Sequence, residues 1–217
     1  MSLSRQHSFW GSLSPLGGLS GAGILLMASA RLSWAITVAV GLFWVYGLSA
    51  LTFTFFISGA GKKIFPEKGR VQIYTCLSAF YGTMYLFMFW MLCSFAALEV
   101  FMILLLVPIF CASSGIVQQM QAHAHNPHVD VFENVSDAIS LAASLAGLLI
   151  AFSVIREPLS FCSLSFPGTY RGMVTIMNFK AGAFFPIGVF AASSGALLLL
   201  GYFICLYQYM KNRKGGY

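Results

Sequence analysis

Residues 32–58 read LSWAITVAVGLFWVYGLSALTFTFFIS, and no Asp, Glu, Lys or Arg interrupts them. A bilayer core is crossed by roughly 20 apolar helical residues, so this stretch predicts a full transmembrane helix over Leu32–Ser58. Val71–Met91 and Ala183–Met210 are also free of charge and rich in Phe, Leu, Ile and Gly, and predict two more spans. Val135–Ile155 predicts another, with Ser and Ala at helical spacing suited to close helix contact. These are long apolar runs rather than ten-residue alternations, which favours helices over a membrane barrel.

Composition agrees. Of 217 residues, 59% are hydrophobic and 8% charged, against about 25% charged in soluble proteins. A soluble domain of this size would lack the polar residues to cover its surface. The net charge of +6 comes from basic residues clustered at span ends, where they orient helices in a membrane, so no nucleic-acid partner is expected. The five cysteines (Cys76, Cys93, Cys111, Cys162, Cys205) are scattered, odd in number and form no CxxC pair, so no disulfide framework is implied.

Two further apolar segments are short and broken. Leu16–Ala30 (LGGLSGAGILLMASA) is rich in glycine, and Glu99–Gly115 (EVFMILLLVPIFCASSG) is interrupted by Pro108. Each precedes two full spans. Such interrupted segments in matching positions of two halves point to inverted repeats whose functional centre lies where the broken helices meet. The expected fold is therefore an all-α polytopic membrane protein of about six transmembrane segments, forming two inverted repeats of three. It is one integral domain: a polar tail over 1–15, a first repeat over 16–95, a second over 96–210 and a basic tail over 211–217.

Six crossings put Arg5, Lys62, Lys63, Lys68, Arg70, Lys211, Arg213 and Lys214 on one side, and Arg31, Arg156, Arg171 and Lys180 on the other. The excess of basic residues marks the cytoplasmic side, so both termini are expected there. An alternative stays open: Arg5, an apolar stretch and Ala28-Ser29-Ala30 imitate a cleavable signal peptide.

The chemistry is limited by what the spans contain. His7, His123, His125 and His128 all lie outside the apolar segments, so no bis-histidine haem is expected. Glu99 and Asp137 stand at span ends and the mid-span positions read as neutral, which removes the usual machinery of an ion-coupled carrier. His123, His125, His128 and Asp130 read as a solvated loop turning at Pro127, since zinc signatures pair such residues with Cys or with His on a helix. No Walker loop, dinucleotide fingerprint or Ser/His/Asp motif is present. Arg156 and Glu157 follow the fifth span and read as an interfacial anchor, as does Arg31. Gly47 and the stretch Ser140–Ser144 read as helix-packing contacts. Cys111 follows Pro108 at the end of a broken segment. It reads as core packing or, alternatively, as a thiolate ligand to an iron–sulfur cluster whose other ligands come from a partner.

These segments resemble the six-span membrane subunits of Rnf-type electron-transport complexes and the related sodium-pumping NADH:quinone oxidoreductase. The resemblance covers roughly residues 20–210. It rests on Ala30-Arg31-Leu32, Gly47-Leu48-Ser49, Pro66 with Arg70, Cys111-Ala112 with Gly115, Ile155-Arg156-Glu157, and Phe184-Phe185. It implies pairing with a homologous membrane subunit of opposite orientation, the two sharing a [2Fe-2S] centre that passes electrons between flavin subunits while sodium or protons move. It also implies a bacterial inner membrane. The second cysteine of the family pattern corresponds to Cys111; the first falls at Gly23, where there is no thiol. The threonine-containing flavin attachment motif of sister subunits is lacking, so no covalent flavin is expected. Three readings follow: a subunit of a redox-driven ion pump, a small inverted-repeat permease, or an architectural subunit that has lost its redox centre.

Overall fold

The computed structural model describes residues 30–58, 67–92, 131–168, 174–178 and 187–214. These form helices α1 (Leu32–Ser58), α2 (Glu67–Leu92) and α3 (Val131–Phe161), a hairpin of β1 (Ser163–Phe166) and β2 (Val174–Asn178), a 3-10 turn over Gly188–Phe190, and helix α4 (Ser193–Lys214). The described chain is mostly helical. Among the described residues, two helices are long and apolar enough to cross a membrane: Leu32–Phe55 within α1 and Val135–Phe161 within α3. In α2 and α4 the apolar lengths are shorter, Cys76–Met91 and Ser194–Leu206.

The core is a seam between α1 and α3. Ala35, Val38, Leu42, Val45, Tyr46, Ala50 and Phe53 recur every three or four residues, as do Ala138, Leu141, Ala142, Leu145, Leu149 and Phe152, and all are buried. That spacing holds one stripe of each helix against its neighbour. The opposite faces remain apolar: Val40, Phe43, Leu51 and Phe55 on α1, and Ile139, Val154 and Ile155 on α3, are exposed. A helix apolar all round belongs in a core or in lipid.

Contacts set the helix directions. The start of α1 meets the end of α3 through Leu32 and Glu157, so the two run antiparallel. The Tyr85 hydroxyl donates to the Thr37 carbonyl at 2.8 Å. The short link from Ser58 to Glu67 reaches only if α2 turns back along α1. A Cβ built on Gly41 would lie 2.6 Å from Tyr85 Cε1, so this glycine permits the α1–α2 approach. Leu92 and Val131 consequently lie toward opposite ends of the bundle, roughly 40 Å apart along its axis at helical rise. At its start α4 abuts the end of α3, and Phe203 packs on Phe152 at 6.0 Å between ring centroids.

Two expectations are corrected here. The span expected to end at Ile155 continues as α3 through Phe161, and the described chain is mostly rather than purely α, since β1 pairs antiparallel with β2, a bulge at Ile176 interrupting the register between Leu164–Met177 and Ser165–Thr175. The last helix does not run unbroken from Ala183. Residues 183–186 lie outside the described set, Gly188–Phe190 form a 3-10 turn, and the α-helix starts at Ser193. The break is tight at Gly195, whose Cβ would meet the Val189 carbonyl and approach the Phe190 Cα to 2.6 Å. No side chain other than hydrogen fits there.

Candidate functional site at the buried Arg156–Glu157 junction

Four chain segments meet at the end of α3. Continuing its buried stripe past Phe152 leads through Ser153 to Arg156, Glu157 and Ser160, all buried, with Arg156 and Glu157 0% exposed. The same helical spacing that buries leucines earlier in α3 thus carries a guanidinium and a carboxyl into the interior. Charged groups are buried in this way only where hydrogen bonds replace their water.

For Arg156 the replacements are backbone carbonyls. Nε donates to Phe190 O at 2.7 Å, and the terminal nitrogen Nη2 donates to Ala191 O at 3.1 Å and Ala192 O at 2.9 Å. These carbonyls close the 3-10 turn and open α4, where Gly195 N and Ala196 N also donate to Ala192 O. The planar, multi-donor head of arginine suits such a cluster of acceptors. Ile187 N donates to Leu159 O at 3.0 Å, docking the same segment on the last turn of α3.

Glu157 faces the start of α1. Its Oε2 accepts the Leu32 N–H at 2.8 Å. Arg31 O accepts the first intrahelical bond, from Ala35 N, so Leu32 N is one of the amides a helix start leaves without an internal partner. A carboxylate is favoured there by the positive end of the helix dipole. The other oxygen, Oε1, is buried and has no hydrogen-bond partner among the described residues.

The surrounding contacts fix this arrangement. Ser160 Oγ donates to Arg156 O at 2.8 Å. Ser165 of β1 is hydrogen-bonded to Ser33 of α1 at 3.2 Å between hydroxyls. The Arg31 guanidinium lies 4.6 Å from the Phe161 ring centre and 5.6 Å from that of Trp34, within cation–π range. Past Phe161 the chain reverses at Cys162, whose φ of 50° is left-handed and whose N–H donates to Pro158 O. That is the usual end of a helix, although glycine more often fills it.

Arg156 and Glu157 were expected at the membrane surface as anchors. They are interior groups, because α3 extends beyond Ile155 and Pro158 does not end it. The expectation that only neutral residues occupy the spans also changes, since Glu157 lies within the apolar helix Val135–Phe161. Gly47 makes no close approach, as a Cβ there would meet nothing within 4 Å. In the Ser140–Ser144 stretch, Leu141, Ala142 and Ser144 are buried.

Cys111, its family partner position Gly23, the broken segments Leu16–Ala30 and Glu99–Gly115, and the histidine loop lie outside the described residues. Cys76 and Cys205 are exposed on α2 and α4, and Cys162 is half-buried. Among the described residues there is no group of three or more His, Cys, Asp or Glu able to hold a metal ion. The signal that could have revealed the junction was present: Leu149, Phe152, Arg156 and Ser160 keep a helical spacing past the apparent end of the span. No known family model matches the sequence, and no curated protein matches it significantly.

Proposed function

We propose that the chain is a membrane subunit of a redox-driven, ion-translocating complex of the Rnf type, lending helices and Cys111 to a transmembrane electron path. The observation that carries this reading is the Leu32–Glu157 hydrogen bond. It joins Ala30-Arg31-Leu32 to Ile155-Arg156-Glu157, two of the motifs on which the resemblance rests, across 125 residues of sequence. Motifs that meet in one buried junction support a shared architectural role better than scattered matches do.

The inverted repeat has support in the antiparallel packing of α1 on α3, its two corresponding spans. The opposite positions of Leu92 and Val131 accord with the crossing expected at Glu99–Gly115. Lys68 and Arg70 lie in the first turn of α2, and Lys211, Arg213 and Lys214 end α4, at the same end of the bundle. Arg31 and Arg156 lie at the other. This segregation supports six spans with cytoplasmic termini in a bacterial inner membrane.

In this reading the chain does not turn over substrate alone. A homologous subunit of opposite orientation and flavin subunits would accompany it, and a [2Fe-2S] centre, where retained, would draw on Cys111 and on thiolates of the partner, since position 23 is glycine. The test is affinity purification of the tagged chain from its native membrane, followed by iron analysis and electron paramagnetic resonance with and without Cys111→Ser. Flavin-subunit co-purification with an iron signal altered by the substitution supports the reading. Co-purification without iron leaves the architectural role. A chain that purifies alone, with no flavoprotein, removes the family assignment.

One observation favours the second reading, a small inverted-repeat permease: Glu157 is a buried carboxyl inside an apolar span, and such residues mark transport paths. Uptake of solute by the isolated protein in liposomes, abolished by Glu157→Gln, would favour that reading.

A further inference from the structure

We infer that the end of α4, residues 209–214, is a docking surface for anionic phospholipid headgroups, and that those lipids hold the far end of this helix. The inference rests on the membrane reading given above, and requires neither a redox centre nor a partner subunit.

Helix α4 is fastened at one end. Arg156 grips the carbonyls of Phe190, Ala191 and Ala192 at its start, Ala196 is buried, and Phe203 packs on Phe152. Beyond that contact the described side chains are open: Leu206 is 58% exposed and Tyr209 67%. The apolar stretch Ser194–Leu206 thus gives way to an exposed tyrosine and then to Lys211, Arg213 and Lys214, three basic residues among the last four of the helix. Apolar, then aromatic, then basic is the order of groups that suits passage from acyl chains through the interface to the headgroups.

Charge selects among lipids. Lys68 and Arg70 in the first turn of α2 stand at the same end of the bundle, so the described helices place five basic residues there against three acidic ones, Glu67, Glu133 and Asp137. Phe55 and Phe132, exposed at this end, add apolar surface and no charge. Phosphatidylcholine would cover that surface equally well but brings no net charge to the basic turn. An anionic headgroup does, and each basic residue near the membrane surface strengthens the attraction, which salt screens.

The test uses the full-length protein reconstituted with spin-labelled phosphatidylglycerol or phosphatidylcholine, the immobilised fraction giving relative association. Wild-type protein should favour phosphatidylglycerol severalfold at low salt, less so as salt rises, and K211Q/R213Q/K214Q should lose most of the preference. Hydrogen exchange over residues 206–214 should be slower in phosphatidylglycerol nanodiscs than in phosphatidylcholine ones, a difference the triple variant should lack. Equal association of both lipids with wild-type protein, or a preference unchanged by the triple substitution, overturns the inference. So does an equal thermal shift from inorganic phosphate and from phosphatidylglycerol in detergent micelles, since the turn would then take free anions. Loss of an acidic protein partner from native membranes, with lipid preference intact, would overturn it in favour of that partner. Should the triple variant fail to fold, the preference and salt dependence of the wild type decide alone. Failure of the membrane reading is distinct: the chain would then remain in solution without detergent or lipid.

Discussion

The α1–α3 pair and the flanking helices α2 and α4 share an apolar vocabulary but are buried very differently. On α1 and α3 one stripe is almost completely enclosed, from Ala35 to Phe53 and from Ala138 to Ser160. On α2 the residues turned inward, Leu77, Tyr81, Tyr85, Leu86 and Phe89, are only half-buried, while Phe80, Met84, Phe87, Trp90 and Met91 are exposed. Likewise α4 buries Ala196 and exposes Leu197, Leu198, Tyr202 and Leu206. Hydropathy therefore does not identify the core of this protein. What sets α1–α3 apart is the polar junction at its end, where buried charge ties three chain segments together.

The sharpest way to break the contrast is Arg156→Ala. It removes the donors that hold the carbonyls of Phe190, Ala191 and Ala192 to α3, leaves a cavity in the buried stripe, and should cost about 3 kcal/mol. Thermal unfolding in nanodiscs should show a large drop, and Arg156→Lys, which keeps the charge but not the fork of donors, should recover only part. An unchanged midpoint for Arg156→Ala would mean that the junction does not hold α4.

Next comes Gly195→Ala, which puts a Cβ against the backbone of Val189 and Phe190. Backbone cannot yield as a side-chain tip can, so a loss of about 2–3 kcal/mol is expected. Proteolysis near residues 187–195 should accelerate.

Packing supplies the third comparison. Leu42→Ala in the α1–α3 seam should cost about 2–5 kcal/mol through the cavity it leaves, whereas Phe87→Ala on the outer face of α2 should change unfolding far less. Equal effects would show that α2 is as enclosed as α1, by lipid-embedded partners rather than by this chain.

The smallest test lies within α1. Gly41→Ala forces the Tyr85 ring aside and with it the Tyr85–Thr37 hydrogen bond, a loss of about 1 kcal/mol. Gly47→Ala meets nothing within 4 Å and should stabilise by about 0.5–1 kcal/mol, since alanine favours the helix. Two glycines in one apolar helix should thus shift the unfolding midpoint in opposite directions.

Much of the framework was legible from residue order. Leu32–Ser58 is α1 to the residue, because a charged residue precedes it, Gly59 follows it, and no charge lies between. Val71–Met91 falls within α2 for the same reason. The end of α3 was misread because a charged pair and Pro158 look like a terminus. Proline leaves a helix intact where the surrounding packing holds it, and a charge can continue a buried stripe when carbonyls and an amide receive it. The hairpin was missed because its strands are short and VTIMN gives no alternation to read.

Sequence by itself determined the apolar helices and their approximate limits, two of them long enough to cross a membrane, since these follow from local composition and length. It also showed Arg156 and Glu157 to be adjacent. Only the tertiary structure decided that both are interior, that one grips residues 190–192 and the other the start of α1, and that one carboxyl oxygen is left over. Those partners lie 34 to 125 positions away, and no local pattern of side chains specifies which distant backbone groups a buried charge will meet.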